Sequence, residues 1–106
     1  MGGSIYVPVF RTSLYSTLKI LKVEGIRVVG VDPLGSKPYF SEDLTGSVAF
    51  ILGGEDKGVG QGLLRKYDSV VRIPMLGRLE SLNLSVAAAI VLYERVRQQI
   101  EKHNTP

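Results

Sequence analysis

The sequence predicts an α/β domain with a mostly parallel sheet and flanking helices, and three observations carry that expectation. Short β-branched runs alternate with stretches of helical periodicity along the chain, as happens when parallel strands are joined through helices. Residues 26–31 and 48–52 are nearly unbroken apolar runs, which suits strands covered on both faces. A glycine cluster follows the second run directly, and in open α/β sheets the carboxyl ends of strands are where ligands bind.

Taken in order, residues 5–10 read as a short strand. Residues 13–24 carry Leu14, Leu18 and Leu21 at helical spacing, with Ser13 as an N-cap and Gly25 as the stop. Residues 26–31 form the next strand, and residues 32–46, with Pro33, Gly35, Pro38 and Gly46, read as a loop holding a short turn near Ser41, Glu42 and Asp43. A strand over residues 48–52 feeds the glycines. Residues 62–67 are a short helix at most, 69–73 a strand, and 82–102 the longest helix, with Leu82, Val86, Ala89, Ile90, Tyr93, Val96 and Ile100 as one apolar stripe. Four strands with two substantial helices are expected to leave one face of a thin sheet poorly covered. The opening Met1-Gly2-Gly3-Ser4 enters a strand abruptly, so the chain is expected to be the C-terminal piece of something longer or to depend on a partner, a natural short form being the alternative.

With 106 residues, 44% of them hydrophobic, the chain can bury one core of ordinary size. Its longest apolar run, residues 85–93, is too short to cross a bilayer, and the start lacks the layout of a secretory signal. A soluble cytoplasmic protein without membrane contact is expected, or an organellar one that has lost its targeting segment. Zero cysteines and the single His103 near the tail exclude disulfides and thiolate metal sites and leave no His-rich ligand set for zinc or non-haem iron, nor a Cys or Ser–His nucleophile, and no metal is expected. The formal charge of +3 is compatible with a polyanionic partner without requiring one.

Gly53, Gly54, Gly58, Gly60 and Gly62 permit positive φ and close approach of a ligand to main-chain groups. Their spacing matches neither a Walker A loop nor a G-x-G-x-x-G dinucleotide fingerprint. A plain turn between strand and helix is the simpler alternative. Glu55 beside them suits a hydroxyl, an amine or a neighbouring Arg, and equally a helix start or salt bridge. The second turn says more. The strand ending at Ile73 meets Pro74, and Gly77 breaks the chain again before Ser81. Main-chain groups of Ile73 and Met75 are thereby left to face an adenine edge, with apolar side chains around its ring. Ser81, Asn83 and Ser85 open an otherwise Ala/Val-rich helix. The N–H groups and positive dipole end there favour a carboxylate or phosphate, although for Ser81 alone capping suffices.

Two segments carry a resemblance. Phe50-Ile51-Leu52-Gly53-Gly54-Glu55-Asp56-Lys57-Gly58 looks like the second motif of the SpoU/TrmH family of RNA ribose 2′-O-methyltransferases in the SPOUT superfamily. Ile73-Pro74-Met75 through Ser81-Leu82-Asn83-Leu84-Ser85-Val86-Ala87-Ala88-Ala89 looks like its third motif. The opening residues 2–9 resemble a segment midway along that family's catalytic domain, so residues 1–106 would be the C-terminal part of a single SPOUT domain. The resemblance implies a C-terminal trefoil knot, S-adenosyl-L-methionine as cofactor, tRNA or rRNA as substrate, and a homodimer. It implies that Leu52, Gly53, Gly54, Ile73, Met75 and Leu82 hold the cofactor, largely through main-chain contacts, and that Glu55, Ser81 and Asn83 form the polar part of the catalytic site. The family's first motif, with its arginine, is absent, and Arg11 does not stand in its place. Catalysis is therefore expected only in a complete protein, the alternatives being a non-catalytic module that binds S-adenosylmethionine or RNA and a nucleotide-binding domain with another ligand. Lys57, Arg65, Lys66, Arg72 and Arg78 cluster in sequence around the proposed site, and an RNA-binding surface is expected there, chiefly through Lys57, Arg65, Arg72 and Arg78. Asp32, Glu42 and Asp43 are expected to lie away from it.

Overall fold

The computed structural model describes residues 14–52, 66–74 and 84–104. Helix α1 (Leu14–Val23) buries Leu18 and Leu21. It ends as the sequence predicts: Gly25 takes φ +74°, and the Gly25 and Ile26 amides donate back to the carbonyls of Lys22 and Leu21 at 3.1 and 2.9 Å. This double closure satisfies carbonyls that the last turn would otherwise orphan, and it needs a left-handed residue. The chain then enters β1 (Arg27–Val31).

Strands β2 (Lys37–Pro38), β3 (Val48–Leu52) and β4 (Ser69–Arg72) complete a sheet of order β2-β4-β1-β3. Every pairing is parallel. The 3₁₀ turn at Tyr39–Ser41 falls at the short turn expected near Ser41, Glu42 and Asp43, whereas strand β2 stands where the sequence reads as loop. Two residues, one of them Pro, carry no periodicity, and pairing with β4 alone makes them a strand. The register has a consequence for topology. Val71 of β4 lies opposite Val31 on one side and Lys37 on the other, so residues 32–36 step across β4 from one of its edges to the other. The expected trefoil knot turns on how residues 75–83 run, which lie outside the described residues, as do the expected strand at 5–10 and most of the expected short helix at 62–67.

Alternation along the strands divides the core in two. Val29, Val31, Val48, Phe50 and Val71 gather with Leu44 and Val91 in one cluster, while Val28, Ala49 and Ile51 gather with Leu18, Leu21 and Tyr67 in the other. Helix α1 thus covers one face and α2 (Leu84–His103) the other. The expectation of a poorly covered face is corrected, because a small sheet needs only one helix per side. Gly30 sits under the ring of Tyr67, where a Cβ would lie 2.3 Å from Cδ2.

The face of α2 that packs on the sheet is also not the one its sequence stripe suggests. Ala87, Val91, Glu94 and Arg95 are buried, whereas Val86, Tyr93, Val96 and Ile100 are 47%, 73%, 47% and 57% exposed. The cause is polar. Arg95 Nη1 donates to the carbonyls of Leu44 and Gly46 at 2.6 and 2.8 Å, and Gln98 accepts from the Leu44 amide at 2.8 Å while donating to the Glu42 carbonyl at 3.1 Å. Orphaned backbone in the turn before β3 finds its partners in these side chains, which rotates the helix toward them. No helix among the described residues is long and apolar enough to cross a membrane.

Candidate functional site

Leu52 is the last residue of β3, and Ile73 directly follows β4. Both are half-buried and pack against the cluster beneath α2. Val31, the last residue of β1, lies opposite Leu52 on one side and Val71 on the other. Leu52 and Ile73 therefore flank the end of β1 at the carboxyl edge of the sheet, on strands roughly 10 Å apart given two ordinary interstrand spacings. At this edge β1 leaves toward β2, β3 ends level with it at Leu52, and β4 runs one residue further to Arg72. The carboxyl ends of strands are where open α/β sheets bind ligands. The start of α2 returns close to the same end: Ser85 and Val86 share a shallow concavity of about 530 Å³ with Tyr39, which directly follows β2.

Of the sequence-predicted cofactor residues the structure places Leu52 and Ile73 at the same edge of the sheet, on either side of the end of β1. Gly53, Gly54, Met75 and Leu82 lie outside the described residues, as do Glu55, Ser81 and Asn83 and the basic Lys57, Arg65 and Arg78. Lys66 is exposed. Arg72 is half-buried, and its Nη1 donates to the Gly35 carbonyl at 3.1 Å. It has a structural contact as well as a place at the site, and the Asp32 turn expected to lie away from the basic group is its neighbour.

That turn is what the sequence reading missed. Asp32-Pro33-Leu34-Gly35 is a four-residue turn closed by the Gly35 amide on the Asp32 carbonyl at 2.9 Å, and the Asp32 carboxylate accepts from the Leu34 amide at 2.9 Å. Asp, Pro and Gly at its first, second and fourth positions were the available signal. Its tertiary partner was not visible: the Asp32 and Ser36 amides donate to the carbonyls of Val71 and Val70 at 2.9 and 3.0 Å.

Charge in the segment before β3 is internally matched. Glu42 is buried between Arg27 at 3.0 Å and Lys37 at 2.9 Å, and Arg27 also donates to the Asp43 carbonyl. Hydrogen bonds from the Thr45 hydroxyl and amide hold the Asp43 carboxyl below its ordinary value. Among the described residues no group of three His, Asp or Glu gathers as a metal site.

A parallel α/β sheet with its candidate site at the carboxyl edge defines the class. Within it, the profile of the SpoU rRNA Methylase family matches residues 1–93, and the chain belongs to that family. It is 41% identical over 88 residues to the 23S rRNA (guanosine-2′-O-)-methyltransferase RlmB of Bordetella pertussis, covering 83% of this chain and 36% of that protein. The fold matches the crystal structure of an RNA 2′-O ribose methyltransferase at a TM-score of 0.76 and 35% identity, over 84% of this chain and 34% of the other. It matches the SpoU methyltransferase AviRb of Streptomyces viridochromogenes, solved in complex with AdoMet, at a TM-score of 0.74 and 32% identity, over 84% and 37% of the two chains. The chain thus spans about a third of the length of these relatives.

Proposed function

We propose that this chain supplies the cofactor-binding part of an S-adenosylmethionine-dependent RNA ribose 2′-O-methyltransferase, as the C-terminal part of a single SPOUT domain. The observation that carries the reading is the convergence of Leu52 and Ile73, two residues of the family's second and third motifs, on either side of the end of β1. The fit to the cofactor is chemical: half-buried apolar side chains resting on a rigid core offer a wall to an adenine ring, and backbone leaving two parallel strands offers donors and acceptors to its edge. The cofactor, when bound, supplies an electrophilic methyl group on a sulfonium.

In this reading Leu52, Gly53, Gly54, Ile73, Met75 and Leu82 hold the cofactor, and Glu55, Ser81 and Asn83 orient the ribose. Transfer makes a carbon–oxygen bond at the 2′-oxygen, breaks a carbon–sulfur bond and releases the hydroxyl proton, so in-line positioning and a proton acceptor are both required. His103, at the exposed end of α2, is remote from the edge and does not serve. The chain by itself is therefore expected to transfer no methyl group. Lys57, Arg65, Arg72 and Arg78 contact RNA phosphates, and the outward apolar face of α2 takes part in a homodimer.

Amide shifts on titrating the full polypeptide with S-adenosylhomocysteine test the reading. Perturbation is expected around residues 52–55, 73–76 and 82; a response confined to residues before 40 would refute it. Robust tritium transfer to unmodified tRNA or rRNA by the 106-residue chain alone would show that the proton acceptor lies within it, with Arg11 the first candidate.

A further inference from the structure

We infer that the turn at residues 32–36 positions the cofactor-binding backbone, with Gly35 and Arg72 as the two residues that lock it onto β4. The inference rests on the cofactor reading above and adds residues that belong to neither motif. Four contacts fasten the turn over the last residues of β4. The Asp32 and Ser36 amides bond the carbonyls of Val71 and Val70, and Arg72 Nη1 reaches back to the Gly35 carbonyl at 3.1 Å. The fourth contact is steric. A Cβ on Gly35 would lie 2.3 Å from the carbonyl carbon of Val71 and 2.6 Å from the Arg72 nitrogen, so the turn rests on β4 backbone to backbone at a distance only glycine allows. Ile73 follows one residue later. Backbone on both sides of Val71 is also fixed by β1 and β2, leaving Ile73 as the first residue of this segment free to present its main chain to a ligand.

The turn is itself rigid before it touches β4. Its own closure at Gly35 and the bond from the Leu34 amide to the Asp32 carboxylate, both at 2.9 Å, define its shape, and Pro33 fixes one φ. A rigid strap clasped to a strand at its final residues transmits any change in its seat to the next residue in line. Gly35 and Arg72 are thus positioning residues for the cofactor: they do not touch it and act through Ile73.

The experiment measures S-adenosylhomocysteine affinity by calorimetry on the full polypeptide without RNA, together with thermal stability and the ligand-free amide shift of Ile73. Gly35→Ala is expected to weaken binding about tenfold or more, the scale on which small misplacements of positioning elements act, and to move the Ile73 resonance. Arg72→Met, which keeps the stem but removes the donor to Gly35, should weaken binding in the same direction, and Arg72→Lys should recover part of it. Gly25→Ala is the control. Its φ of +74° makes alanine strained there and it lies at the opposite end of the sheet, so it should lower stability with affinity unchanged. Wild-type affinity in folded Gly35→Ala, or in Arg72→Met should the glycine variant not fold, overturns the inference while leaving the cofactor reading intact. No binding by the wild-type polypeptide overturns both.

Discussion

Gly30 offers a close test of the packing that holds the sheet to α1. It lies in the middle of β1, between Ile51 and Val70, and a Cβ there would stand 2.3, 2.6 and 3.3 Å from Cδ2, Cε2 and Cγ of Tyr67. The nearest gap falls about 1.2 Å short of ordinary carbon–carbon contact at about 3.5 Å. The ring cannot swing aside freely, being only 9% exposed and packed with Leu18, Leu21, Val28, Ala49 and Ile51. Gly30→Ala should therefore cost about 1–3 kcal/mol as overpacking, partly offset by the roughly 0.5–1 kcal/mol that alanine gains over glycine in a strand. In a Tyr67→Ala background the obstacle is gone, and the same substitution should stabilise by about 0.5–1 kcal/mol. Urea unfolding of the four proteins of this double-mutant cycle, fitted with slopes as well as midpoints, measures the coupling. Additivity within about 0.5 kcal/mol would mean that the ring does not rest on Gly30 in solution, and the argument would fail.

Three further expectations follow from charge and surface. Glu94 is held below its ordinary value of 4.5 by hydrogen bonds from Arg97 first, against the cost of burial, and then from Gln98; its contribution to stability is present above that value and is lost as pH falls through the lower folded one. Acid titration of stability should thus show a loss below about pH 4.5 that Glu94→Gln flattens, and an unchanged profile would assign the acid sensitivity elsewhere. If the proposed homodimer forms through the exposed face of α2, Tyr93→Arg with Val96→Glu, both on that face, should leave the fold intact and shift the polypeptide to monomer in sedimentation, whereas a wild-type monomer or a dimer undisturbed by the pair would refute that contact. Lys57→Ala and Arg78→Ala should each weaken RNA binding and reduce its salt slope by about one, and a constant slope would make those charges incidental.

Local chemistry alone determined much of this protein. Gly25 as a left-handed stop, the buried run 48–52 and the parallel alternation of strands and helices are legible because glycine conformation and side-chain period are properties of a few adjacent residues. The two motifs likewise identify the family and put Leu52 and Ile73 at strand ends. Tertiary structure decided the rest. Nothing in Lys37 and Pro38 announces a strand until β4 lies alongside. The apolar stripe of α2 does not reveal that Arg95 and Gln98 turn a neighbouring face inward, since the carbonyls they satisfy belong to residues some fifty positions earlier. The turn at residues 32–36 shows its own closure in sequence but not the strand it straddles, because the atoms that demand glycine at position 35 are the backbone of Val71 and Arg72, and which backbone meets which is settled only when the sheet assembles.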